Sequence, residues 1–166
     1  MLGIYDNFPV NVQKVMRFAT ASSTKTLQKA VVHCLGKLNS EKLRLEEVAS
    51  PSATNCTVVF EFGIADGDTF NYLDSEEAQK ILGEIRKSSL HVIDFFCAIR
   101  YYKEHGEKKS PLKFDYYMLR LIFDKDLMEV LIFHERGPRH IPPEDLVNLI
   151  VERVNGLFSR KVLKAF

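Results

Sequence analysis

The run His134-Glu135-Arg136-Gly137-Pro138-Arg139-His140 gathers more chemically capable side chains than any other stretch of this 166-residue chain. Arg136 and Arg139 stand just ahead of Ile141-Pro142-Pro143-Glu144-Asp145, which reads as a helix start. Guanidinium groups beside the free amide hydrogens of a first helical turn suit a phosphate or carboxylate. His134 and His140 would add pH-dependent donors, or with Glu135 they would ligate a metal. The spacing H-E-x-x-x-x-H on a loop is not the H-E-x-x-H helix that sets two imidazoles on one face, so no metal is expected. Neither histidine has a serine or cysteine neighbour in sequence. The expectation is therefore an anion- or partner-binding site at His134, Arg136, Arg139 and His140, with no catalytic residue. The competing expectation is a solvated connection whose arginines pair with Glu144 and Asp145.

A second concentration lies at the tip Lys103-Glu104-His105-Gly106-Glu107-Lys108-Lys109-Ser110, with Lys113 beyond it. Tyr101, Tyr102, Tyr116 and Tyr117 sit on the flanking segments. Basic groups beside aromatic rings are what single-stranded nucleic acid binding uses, by phosphate attraction and base stacking. Lys103, Lys108, Lys109 and Lys113 are thus the expected contacts for RNA or DNA. Glu104 and Glu107 dilute that charge, and a plain solvated hairpin tip is the alternative.

Asp66, Asp68, Asp74, Glu76 and Glu77 form an acidic neighbourhood that could hold a divalent ion or share a proton. A tight turn at Asp66-Gly67-Asp68 and a helix cap at Asp74 explain the same residues without a ligand. Cys34, Cys56 and Cys97 are an odd, widely spaced trio in apolar surroundings. They read as buried free thiols of a reducing compartment, and Cys97 as protonated rather than nucleophilic. No cofactor is expected.

These residues need elements to hold them. HVIDFFCAIRYYK, LKFDYYMLRLIF and LMEVLIFHE, between His91 and Glu135, are rich in β-branched and aromatic residues and separated by turns, the pattern of an antiparallel meander. In the first, Ile93, Phe95, Cys97, Ile99 and Tyr101 share a face opposite Asp94 and Arg100; a helix is the alternative for 91–103. Val58, Phe60, Phe62 and Ile64 alternate in another strand, and Thr69 to Leu73 would return as its short partner. Val10 to Ala19 alternates loosely, and Lys42 to Ala49 suits an edge strand.

Three helices are expected. One starts near Ala21-Ser22-Ser23-Thr24, burying Leu27, Val31, Cys34, Leu35 and Leu38 with Lys25, Gln28, Lys29 and Lys37 outside. Another is capped by Asp74, with Glu77 reaching back, and buries Ala78, Ile81, Leu82 and Ile85. The last has Pro143 in its first turn and buries Leu146, Leu149, Ile150, Val154 and Leu157. Helices interrupting an antiparallel sheet predict a two-layer α+β sandwich. The chain would be one α+β domain over 1–166, or two fused half-units meeting near 50–74, where Ser50 to Asn55 is the clearest loop.

Composition narrows the function classes. The chain is 46% apolar and 27% charged, which suits a globular protein. A net charge of +1 gives no global pull toward nucleic acid or anionic lipid. No apolar run approaches a spanning helix and no leader pattern opens the chain, so a cytoplasmic protein without membrane contact is expected. With no phosphate loop, nucleophile elbow or Rossmann glycines, the leading expectation is a binding or assembly module that meets RNA, DNA or protein. The alternative is a small-molecule-binding protein or enzyme with its pocket near 134–140. A homo-oligomer burying its tyrosine-rich strand face is a third.

Overall fold

The computed structural model describes residues 1–49 and 55–166. The elements follow as β1 (Lys14–Thr20), α1 (Thr24–Leu38), β2 (Lys42–Arg44), β3 (Cys56–Asp66), β4 (Thr69–Tyr72), α2 (Ser75–Lys87), β5 (Val92–His105), β6 (Lys108–Pro111), β7 (Asp115–Asp124), β8 (Leu127–Arg136), α3 (Pro143–Asn155) and β9 (Leu163–Ala165). All strand pairings are antiparallel, in the order β2-β3-β5-β7-β8-β1-β9, with β4 also on β3 and β6 also on β5. The helices form the second layer, so the fold is the expected α+β sandwich. No helix among the described residues is long and apolar enough to cross a membrane.

The inner sheet face is built by period-two alternation. Val58, Phe60, Phe62 and Ile64 of β3 are buried, as are Ile93, Phe95, Cys97, Ile99 and Tyr101 of β5. The stretch 92–103 is strand, not helix, because β7 pairs with 92–99 and β3 with 97–103. Local chemistry starts the helices as the sequence suggests. The Ser23 hydroxyl accepts from the Thr26 amide at 3.2 Å and the Asp74 carboxylate from the Glu77 amide at 2.8 Å. Pro143 takes the first turn of α3.

Several details differ from the sequence reading. Glu77 does not reach back to close a capping box; its carboxylate accepts from Asn71 Nδ2 at 3.2 Å. Gln28 is fully buried rather than outside, because its amide exchanges two hydrogen bonds with the Leu90 backbone and ties α1 to the approach of β5. Leu157 lies beyond the end of α3 and is exposed. The helix stops because Asn155 turns its side chain to the next segment, accepting from the amides of Val162 and Leu163 and donating to Leu163. That clasp sets up β9, which the sequence reading lacked. The loop expected at Ser50 to Asn55 lies, except for Asn55, outside the described residues.

The other sheet face is not simply solvated. Residues 1–13 cross part of it as a strap, with Gly3 donating to Ala65 at 2.8 Å and Asp6 to Gly67 at 2.8 Å. Beneath the strap lies Asp94, on the polar side of β5 as expected but wholly buried. Its carboxylate accepts the Tyr5 amide at 2.7 Å and two nitrogens of Arg120, each at 2.8 Å. A buried carboxylate costs several kcal/mol of lost hydration unless it is paired in this way.

Candidate functional site

The 134–140 run is organised by a residue that the sequence reading did not single out. Asp115 opens β7 on the same parity as Tyr117, Leu119 and Leu121, so its carboxylate points inward and is fully buried. Four donors converge on it: the Tyr101 hydroxyl and the His140 amide (3.0 Å) on Oδ2, His134 Nε2 (2.9 Å) and the Arg139 amide (2.7 Å) on Oδ1. These match the acceptor sites of two carboxylate oxygens. The His134 tautomer follows from the network: Nε2 carries the hydrogen given to Asp115, while Nδ1 accepts from Arg139 Nε at 3.3 Å. The amides offered by the approach to α3 are thus taken by an internal anion.

Gly137 permits this arrangement. Its φ is +117°, and a Cβ there would come within 2.2 Å of the Phe114 carbonyl oxygen and 2.4 Å of Asp115 Oδ1. Arg139 adopts φ +59°, which for a residue with a side chain costs on the order of 1–3 kcal/mol. Its amide bond to Asp115 holds it there. Burial, and then the Asp115 charge, push the hydroxyls of Tyr101 and Tyr117 well above the ordinary tyrosine range. The Tyr117 hydroxyl donates to the Ile141 carbonyl. Burial, reinforced by Asp115, likewise raises the Cys97 thiol far up, which keeps it protonated and unreactive.

Arg136 does not join this hub. Alternation along β8 would put it inward with Ile132 and His134. The pairing with β7 slips between Tyr116 and Tyr117, so that Tyr117 faces His134 and Tyr116 faces Arg136, and Glu135 is left without a partner. This bulge sends Arg136 to the outer face. Its guanidinium lies 5.8 Å from the centre of the Tyr116 ring. Among the described residues no carboxylate pairs with Arg136 or Arg139; Glu144 is taken by Lys14 at 3.4 Å.

Around Arg136 the outer face is aromatic and basic. Phe114 and Tyr116 meet edge-on at 6.1 Å, and Arg100 lies 4.6 Å over Phe114 while its Nε bonds Glu61 at 2.7 Å. Exposed Lys113 joins Phe114, Tyr116 and Arg136 in lining a shallow groove of about 640 Å³.

The other tip lysines go elsewhere. Lys103 follows Tyr101 on the inner parity, and Lys109 shares Glu104 with Lys42 at 4.0 and 3.5 Å. Lys108 is exposed on β6, opposite His105. The tyrosines divide: Tyr101 and Tyr117 are buried inside, Tyr102 and Tyr116 half-buried outside.

The acidic neighbourhood divides between the turn after β3 and the start of α2. Asp66 stands 4.0 Å from the N-terminal amine and Asp74 caps α2. Among the described residues no three His, Cys, Asp or Glu side chains are grouped to hold a metal. The groove therefore offers aromatic surface and cations, and the hub offers rigidity.

The comparisons with known proteins are silent. No protein-family model matches this chain, nor does any curated protein or solved structure. The functional reading stands on the geometry.

Proposed function

We propose that the protein binds single-stranded nucleic acid, RNA or DNA, on the outer face of its sheet, centred on Phe114, Tyr116 and Arg136. The observation that carries this reading is the bulge at Glu135, which turns a guanidinium with no carboxylate partner among the described residues onto an aromatic face. A base laid on Tyr116 or Phe114 gains stacking of about 1–3 kcal/mol, which any base can supply. Arg136 and Lys113 take phosphates. Arg100 is engaged by Glu61 and serves chiefly to fix the Phe114 ring. The near-neutral chain makes binding local and modest, with short oligomers as natural ligands. The hub beneath keeps the 136–140 connection rigid, so little ordering is needed on binding.

Fluorescence anisotropy with labelled oligo-dT and oligo-U tests the reading. Two phosphate contacts give a slope of log affinity against log salt of about −1.4, since single strands release about 0.7 counterion per contact. Arg136→Ala should flatten the slope by about 0.7, and Tyr116→Ala should weaken binding at every salt concentration. No binding at low salt, or binding indifferent to both substitutions, would overturn the proposal.

A further inference from the structure

The aromatic surface does not end at the groove. Phe114 contacts Tyr116 at 6.1 Å between ring centres, Tyr116 contacts Phe96 at 5.5 Å, Phe96 contacts Phe70 at 5.6 Å, and Phe70 contacts Tyr5 at 4.6 Å. The row crosses the sheet from the approach to β7, over β5, to β4 and the strap. Gly63 of β3 borders it without a side chain. A Cβ there would stand 3.2 Å from the Asn71 carbonyl oxygen and 3.4 Å from the Cβ of Phe70. Tyr5 is fixed at the far end by its own backbone: its amide is held by Asp94, its carbonyl accepts from Arg120 at 3.4 Å, and Phe8 lies under the Arg120 guanidinium at 4.4 Å.

Two physical points fix how a strand would use this row. A base sandwiched between neighbouring rings needs about 7 Å between their centres, twice a carbon contact distance of about 3.5 Å. Every spacing in the row is shorter, so bases lie along its open side rather than between its members. The two ends also differ in how their cations are engaged. Arg136 and Lys113, with no carboxylate partner among the described residues, adjoin Phe114 and Tyr116 beside Arg100, which Glu61 holds, whereas the guanidinium near Tyr5 is that of Arg120, already bound in a fork by Asp94. Beside β4 at the far end, the N-terminal amine stands 4.0 Å from Asp66 and Lys80 3.9 Å from Glu77, so each cation there already faces a carboxylate.

We infer that a bound strand runs across the sheet from the Phe114 end to Tyr5, anchored by phosphates at the first end and by bases alone along the rest, with the N-terminal strap supplying the last ring. This rests on the nucleic acid reading above and assigns the strand a path, a length and a polarity of charge. It makes a divided signature. Salt dependence is complete once the first nucleotides are bound, while affinity keeps rising as bases reach Phe96, Phe70 and Tyr5.

The experiment is a length series of 5′-phosphorylated oligo-dT and oligo-U, from the dinucleotide, which then carries two phosphates, to the octanucleotide, titrated into the full chain at several salt concentrations. Affinity should rise to a plateau at about five nucleotides, one per ring, with the salt slope unchanged beyond the dinucleotide. Tyr5→Ala and, independently of the strap, Phe70→Ala should each lower affinity for the longer oligomers by at least about fivefold and leave the dinucleotide unaffected. Tyr5→Phe should keep wild-type affinity. Binding that depends on Arg136 and Tyr116 but shows no gain with length, or a salt slope that climbs with every added nucleotide, would overturn the path and leave the groove standing. Absence of binding at any length would overturn both.

Discussion

Replacing Asp115 is the most direct test of the hub. In Asp115→Ala four donors lose their acceptor: the buried Tyr101 hydroxyl and the part-buried His134 Nε2 and amides of Arg139 and His140. An orphaned buried donor costs about 1–3 kcal/mol and a part-buried one less, so the loss is about 3 kcal/mol. Asp115→Asn keeps the shape and one acceptor oxygen. The Tyr101 hydroxyl can reverse and accept from the new amide nitrogen, whereas His134 can reverse only by turning an Nδ1 hydrogen onto Arg139 Nε. The asparagine therefore settles with its nitrogen toward Tyr101, and one serious conflict remains, with the His140 amide, costing about 2 kcal/mol. Urea unfolding followed by circular dichroism, with the denaturant slope checked for constancy, measures both variants. An alanine loss below about 1.5 kcal/mol, or equal losses for alanine and asparagine, would refute the claim that four simultaneous bonds define this residue.

Further expectations concern the core, the strap and the thiols. Phe95→Ala should cost on the order of 3–5 kcal/mol in the same assay, since its ring is 1% exposed against the helices; near-wild-type stability would contradict the inner-face assignment. Asp94→Ala should cost about 2–3 kcal/mol, less than a fully buried pair, because the Arg120 side chain keeps 26% exposure. Hydrogen exchange at the Tyr5 amide should accelerate with it, and unchanged protection would show the strap to be held otherwise. Burial raises the Cys34 thiol from 9.0 to about 11, so above pH 9 the unfolded chain loses a proton that the folded chain keeps. That contribution is full below pH 9 and shrinks as pH climbs to 11, by about 2.7 kcal/mol at 1.36 kcal/mol per pK unit. Cys34→Ala should show a shallower alkaline decline, and an identical pH profile would count against this burial.

What could be read from the sequence was whatever a single segment decides. Alternation at 58–64 and 93–101, the cap at Asp74 and the proline at the start of α3 each express a local rule, and each is realised. The parity of Asp115 with Tyr117 and Leu119 was also there to be read. Its role was not, because the donors come from β5, β8 and the 139–140 backbone. Asp94 was placed on the right side of its strand, but its burial was not legible, since nothing local shows that residues 1–13 fold across it. The outward turn of Arg136 depends on a register slip between two strands, which no periodicity within β8 records. Gln28, polar yet buried, is decided by one backbone segment about sixty residues away.

The bulge at Glu135 has a consequence for how this protein can change. A strand without it would couple its neighbours: shifting Arg136 would shift His134, and altering the surface would disturb the core. One unpaired residue uncouples them, with scaffold chemistry upstream and surface chemistry downstream. Substitutions at 136 can then be explored by selection or by design while the fold keeps its stability, and a deletion at 135 would surrender that freedom in a single step.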